Sequence, residues 1–240
     1  MSVVDVDVQE TWPVTVIEFV EHWAVQVASS TSYAADLAIP LEADEEFREI
    51  LAGHELRAYH ATRLLDHEGE MIRSQGLRLL TVELVEERLR MAIRAGVISA
   101  QDAGQLLVDN VFARGLAANR QNQVCLLLSD HTLRNDTRAL GKLLLLWGGE
   151  AMYKESHVVR PLLAQLGRPA VVTALLDVDE RSGRHKFYPA LTRYFVGALL
   201  GLKRSSADVF FKSPIAPGAI ERVAQPGDDW YDQFLDLPRQ

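Results

Sequence analysis

Tyr59-His60-Ala61-Thr62-Arg63 puts an aromatic ring, an imidazole, a hydroxyl and a guanidinium side by side at the end of a short apolar run. Side chains of these types can hold a ligand. A histidine donates to a ribose hydroxyl, a small residue lets a ligand amide approach the backbone, and an arginine reaches a phosphate. The same residues also fit a structural histidine beside a solvated arginine, and spacing alone leaves both open.

Two further clusters could do chemistry. In Trp147-Gly148-Gly149-Glu150-Ala151-Met152-Tyr153, two glycines allow a tight turn or a close approach to a ligand. Trp147 or Tyr153 can then stack on a flat ring with Glu150 near it, or Trp147 can simply sit in the core. In Ser205-Ser206-Ala207-Asp208-Val209-Phe210-Phe211, an acid opens a strand and can project into a cleft, or serve as a cap. Pro214-Ile215-Ala216-Pro217-Gly218-Ala219-Ile220 follows. Glycine-rich nucleotide loops, paired CxxC motifs, the GxSxG elbow and HExxH are all absent from the sequence. Its seven histidines are scattered, so no metal site is expected.

The elements that must position these residues follow from periodicity. Residues 1–12 alternate valines with acids, as a half-exposed strand or arm does. Helices are predicted over 14–27 and from 42 or 43 to 52. A strand is predicted over 56–60, and a helix over 67–74 capped by Asp66 and stopped by Gly76. The clearest amphipathic helix covers 81–94, with Val82, Val85, Leu89 and Ile93 inward and Glu83, Glu86, Glu87 and Arg90 outward. Ser99 caps a second helix through about 116. This pair reads as packing or a lid, with no catalytic pattern.

Downstream, 124–129 and 143–147 read as strands. Ser156 caps a helix ending near Gly167, and 170–178 is a buried strand. A charged connection covers 179–186, and 188–200 is ambiguous between helix and strand. A last short strand covers 209–212. Together these elements imply one α+β domain with an N-terminal helical extension.

Composition bounds the function. There are 25 Lys and Arg against 33 Asp and Glu, a net charge of −8, which argues against coating nucleic acid through bulk charge. Cys125, the one cysteine, lies in an apolar run and reads as a buried thiol rather than a nucleophile. No stretch is long and apolar enough to cross a bilayer, and the N-terminus carries acids where a signal peptide needs bases. A cytoplasmic protein is expected, with no membrane partner.

Taken in order, the three clusters resemble ADP-ribosyltransferases. Tyr59-His60-Ala61-Thr62, then Ile72 and Gly76-Leu77 after one helix, is similar to the family's opening motif. The acid-led strand running into 214–220 is similar to the end of that domain. The likeness is closest to the bacterial toxins that modify DNA, and it spans about 56–223. It implies a split β-sheet core at 56–224 with a helical insertion at about 81–117, preceded by an N-terminal helical extension (1–55) and followed by an acidic tail (225–240).

The resemblance also implies roles. NAD is the co-substrate. His60 holds a ribose hydroxyl, Ala61 stands where many members have glycine, Thr62 lies beside the nicotinamide amide, and Tyr153 packs on the nicotinamide ring. Tyr59 flanks this group and Arg63 is a phosphate candidate. Asp208 is the catalytic acid where the family usually has glutamate, and the shorter carboxylate must come closer to act. Glu150 is the reserve acid.

The expected activity is cleavage of the nicotinamide–ribose bond and transfer of ADP-ribose to a protein, nucleic acid or small molecule. A toxin or phage-conflict effector would use such chemistry. Two alternatives stay open: a non-catalytic nucleotide- or partner-binding protein, and an RNA-end 2′-phosphotransferase-like enzyme using Arg63, Arg120, Lys203 and Arg204.

Overall fold

The structure is a computed structural model. It describes residues 2–27, 31–117, 120–130, 133, 140–152, 159–178, 185–188, 191–202 and 208–233, and within these not the side chains of 140–142, 150, 185–188 and 208. Helices and a mainly antiparallel sheet make it α+β. The sheet has seven strands in the order β5-β6-β3-β2-β4-β7, with β1 added on β2. These are β1 (Val3–Val4), β2 (Glu55–Leu64), β3 (Val124–Leu127), β4 (Arg168–Asp177), β5 (His185–Tyr188), β6 (Asp208–Phe211) and β7 (Ile220–Ala224). β4 is buried on both faces from Ala170 to Ala174, and its apolar run lacks the alternation of a half-exposed strand. Among the described residues, no helix is long and apolar enough to cross a membrane.

The chain divides into two compact units. The first comprises Met1–Tyr59, Cys125–Thr132 and Ala174–Phe211. Helices α1 (Val14–Val27) and α2 (Leu41–Leu51) belong to it, together with a later helix, Leu191–Leu199, called α8 below.

Phe47 of α2 is the centre of this unit's aromatic packing. It stacks on Phe19 of α1 with centroids 5.1 Å apart and meets Phe195 of α8 edge-on at 5.0 Å. Rings at such spacing add about 0.5–1.5 kcal/mol per pair beyond their burial. The Asp44 carboxylate accepts from both the backbone N–H and the hydroxyl of Thr192, each at 2.9 Å, and so fixes the start of α8. The stretch 188–200, ambiguous in sequence, thus resolves into the end of β5 and the buried helix α8.

The first residues form a strand parallel to β2, with Val3 opposite Glu55 and Val4 opposite Leu56. Asp5, 3% exposed, anchors that strand: its Oδ2 accepts from Arg57 Nη1 and Tyr59 Oη, both at 3.1 Å. Asp7 accepts from Ser129 Oγ at 2.9 Å and from the backbone N–H of Asp130 at 2.7 Å. The acids between the valines therefore act as internal hydrogen-bond acceptors.

The second unit comprises His60–Val124, Leu133–Thr173 and Lys212–Gln240. It holds α3 (Asp66–Gln75), α4 (Val82–Arg94), α5 (Ala100–Val108), α6 (Leu140–Leu145), α7 (Arg160–Gln165) and α9 (Asp229–Asp232). Its core joins Val85, Leu89 and Ala92 of α4 to Ala103 and Leu106 of α5, and to Trp147, Met152 and Leu163. Thr81 caps α4 through its hydroxyl, which accepts from Leu84 N at 3.1 Å.

Four expectations are corrected. α3 is capped at Leu65, whose N–H donates to Glu68 Oε2 at 2.8 Å, while Asp66 lies inside the first turn; a glutamate at the third helical position closes the cap. α5 stops at Val108, short of 116, because the Asn110 side chain intervenes. It donates to the carbonyls of Leu106 (3.0 Å) and Leu107 (2.8 Å) and accepts from Phe112 N (2.9 Å). The run at 143–147 is the end of α6 followed by a turn, since leucines without β-branched neighbours favour a helix. β2 extends to Leu64, four residues beyond the predicted strand, and this changes where its side chains point.

Candidate functional site

A strand sends successive side chains to opposite faces, so the motif at 59–63 cannot act as one patch. His60, Thr62 and Leu64 line a cleft inside the second unit, and Ala61 and Arg63 do not. α3 adds Glu68, Met71, Ile72 and Gln75; the chain after it adds Gly76, Leu77 and Arg78; α4 adds Leu84, Glu87, Arg88 and Met91. Both helices contribute at i, i+3, i+4 and i+7, one continuous face each. The cleft is open to solvent, with a cavity volume of about 120 Å³ and mostly apolar walls. Apolar walls with a few polar groups suit contact with part of a small organic ligand.

The turn below α3 shapes one end. Gly76 has φ of +81°, and a Cβ there would lie 1.8 Å from the Ile215 carbonyl oxygen. Glycine is required for that approach. It lets Leu77 and Ile215 exchange two backbone hydrogen bonds, each 2.9 Å. Gly76-Leu77 and the 214–220 segment, both singled out in sequence, are thus joined directly.

The Gly-Gly turn also reaches the cleft residues. Gly148 (φ +96°) and Gly149 (φ +54°) turn the chain so that a Cβ on Gly149 would lie 3.8 Å from Thr62 Oγ1. Glu150 follows in the 3-10 turn Gly149–Ala151. Its side chain, and Tyr153 altogether, lie outside the described residues. Asp208 opens β6 of the first unit, its backbone opposite Tyr188; its side chain is likewise undescribed.

Tyr59, Ala61 and Arg63 are placed on the face of β2 away from the cleft residues. Tyr59 is buried against Asp5, and burial with the Asp5 charge raises its phenol well above the ordinary range. Arg63 is 8% exposed; its Nε donates to the Leu166 carbonyl at 2.6 Å and its Nη1 to that of Leu144 at 3.4 Å. Burial pulls its guanidinium down, offset in part by Tyr231. The expected phosphate ligand is therefore a brace between backbone segments. Tyr231 is pushed up to about 12, chiefly by burial, with Arg63 opposing the rise.

The polar centre of the cleft is one that sequence reasoning missed. Glu68, 6% exposed, accepts from Arg88 Nε at 2.6 Å, from Trp147 Nε1 at 2.9 Å and from the Leu65 N–H. Burial alone would raise its carboxyl. The Arg88 charge and the three donors outweigh this and hold it below the ordinary glutamate range. Arg88 lies over the Trp147 ring, its Cζ 4.8 Å from the centroid. Arg88 Nη2 is buried and has no hydrogen-bond partner among the described residues, and a buried donor left so costs about 1–3 kcal/mol. At the more exposed rim, Arg78 and Glu87 pair at 2.9 Å.

One sequence signal pointed here. α4 carries two adjacent stripes, Val85, Leu89 and Ala92 toward the core and Leu84, Arg88 and Met91 toward the cleft. α4 therefore does more than pack against the core, since it also walls the cleft. Trp147 belongs to the core at 1% exposure, with only its indole N–H and Arg88 linking it to the cleft. Cys125 is half-buried. Among the described residues, no three or more His, Cys, Asp or Glu side chains group as metal ligands do. The chain matches no protein-family model, no curated protein and no solved structure.

Proposed function

We propose that the cleft binds a nucleotide and that the protein is an NAD-dependent ADP-ribosyltransferase. One observation carries this: of the five motif residues, His60 and Thr62 alternate into a cleft that also contains Ile72, Gly76 and Leu77, the other positions of the opening motif. His60 then holds a ribose hydroxyl and Thr62 lies beside the nicotinamide amide, while Met71, Leu77 and Met91 offer apolar, adaptable contacts to flat rings.

In this proposal the bond between the ribose carbon and the nicotinamide nitrogen breaks, and nicotinamide leaves with the electron pair. Positive charge builds on the ribose as in glycoside cleavage. The resemblance assigns to Asp208 the carboxylate that would stabilise that charge or take the acceptor's proton as the acceptor bonds to the same carbon. The test is release of nicotinamide from NAD by the full chain. Loss of release in a folded Asp208→Ala variant supports the role of that acid, and full activity in the variant refutes it.

A second proposal, a nucleotide binder without turnover, has its own support. Both carboxylates that line the cleft, Glu68 and Glu87, are held by arginines at 2.6 and 2.9 Å. Calorimetric binding of NAD without nicotinamide release favours it. A phosphotransferase acting on RNA ends gains nothing from Arg63, which is engaged with carbonyls; Lys203 and Arg204 lie outside the described residues.

A further inference from the structure

Arg88 stands in the segment that reads in sequence as packing or a lid, and it lines the cleft beside His60 and Thr62. Three of its features bear on ligand recognition. Nε is committed to Glu68 Oε1 at 2.6 Å, the guanidinium face is laid on Trp147 at 4.8 Å, and Nη2 is buried without a partner among the described residues. The side chain is thus held from one edge and one face, and Nη1, unpaired among the described residues and not buried as Nη2 is, is the N–H donor left for a ligand.

Glu68 is itself fixed by the Trp147 and Leu65 N–H groups, so Arg88 is pre-organised rather than free to swing. A guanidinium presented in this way can give a charge-assisted hydrogen bond to a phosphate oxygen. The Glu68–Arg88 pair is neutral as a whole, so the phosphate is recognised by directed donation more than by bulk attraction. The apolar walls from Met71, Ile72, Leu77, Leu84 and Met91 suit the uncharged body of the same ligand.

We infer that Arg88 is the phosphate-binding residue of the cleft, with Glu68 as its positioning residue, and that the ligand is a nucleotide recognised through a phosphate. This deepens the proposed function and rests on the cleft being its nucleotide site.

The experiment compares AMP with adenosine, two probes that differ by the phosphate, by calorimetry on the full chain. Wild type is expected to bind AMP at least about tenfold more tightly than adenosine, the size of one charge-assisted hydrogen bond. Arg88→Lys keeps a cation beside Glu68 but removes the guanidinium, and the preference should fall to about twofold or less. The paired Glu68→Gln/Arg88→Gln variant avoids stranding a buried charge and should behave alike, with folding of each checked by thermal melting.

Equal binding of both probes by wild type, no binding of AMP, or an unchanged preference in either folded variant would overturn the inference. Nicotinamide release is measured in parallel. Release with an unchanged KM for NAD in Arg88→Lys leaves the transferase proposal standing and overturns this one. An AMP preference lost in Arg88→Lys, without any release, does the reverse.

Discussion

Arg88 reaches from the middle of α4 to place its Nε 2.6 Å from Glu68 Oε1 at the start of α3. One glutamate therefore closes a helix cap, accepts from an indole N–H and positions an arginine in the cleft. The two helices that wall the cleft are coupled through this contact, so the residues that hold the helices together also line the cleft.

Glu68→Ala should be among the costliest single changes in the second unit. It strands a largely buried guanidinium and removes the acceptor for the Leu65 and Trp147 N–H groups. A loss of about 3 kcal/mol is expected, the low end for breaking a buried pair. Arg78→Ala, at the rim pair with Glu87, should cost about 0–1 kcal/mol. Urea unfolding at neutral pH measures both, and equal small losses would show that the inner pair is not structural.

The acid limb of stability should carry the signature of Glu68. Its folded-state carboxyl is held below the ordinary value, so the unfolded chain takes up its proton first as pH falls. The stabilisation is present above the unfolded value of about 4.3 and is lost as pH drops through the lower folded value. Melting temperatures between pH 7 and 2 should therefore fall less steeply for Glu68→Gln than for wild type. Parallel curves would contradict the assignment.

Gly76→Ala tests the joint between the motif turn and the C-terminal segment. A methyl there would meet the Ile215 carbonyl oxygen at 1.8 Å, in a backbone conformation that alanine avoids. Strain of about 2 kcal/mol or more is expected, together with faster amide exchange at Leu77 and Ile215, whose N–H groups bond across that joint. Wild-type exchange in this variant would mean that the contact is dispensable.

Alkaline titration should reveal the burial of two tyrosines. Tyr231 is pushed up to about 12 and Tyr59 is raised further, both chiefly by burial. Their neutral forms stabilise the fold below an ordinary value of about 10, and this is lost as pH rises through the folded values. Tyr231→Phe should lose less stability than wild type between pH 10 and 12 by fluorescence-monitored melting, and an unchanged slope would contradict the burial effect.

Much of the fold was legible because amphipathic period and capping chemistry are local. The helix at 81–94, its Thr81 start and the buried strand near 170–178 emerged within a residue or two of α4 and β4. The site was legible in part. The sequence drew attention to 59–63, but it ended the strand at His60, and only the longer β2 separates His60 and Thr62 from Tyr59 and Arg63.

Arg63 read as a ligand residue because nothing local reveals that Leu166 O, far along the chain, would claim it. Arg88 was overlooked for the opposite reason. A charged residue on an amphipathic helix reads as solvated until a third element covers that side.

The proposed nucleotide site, in the cleft under the end of β2, is built on His60. Its most direct test is calorimetric titration of NAD into the wild-type chain and into His60→Ala, with folding verified by melting and nicotinamide release followed in the same samples. Saturable binding by wild type, weakened about tenfold or more in the variant as loss of a ribose hydrogen bond implies, is the predicted result. No binding by wild type, or equal affinity in a folded His60→Ala, would contradict it.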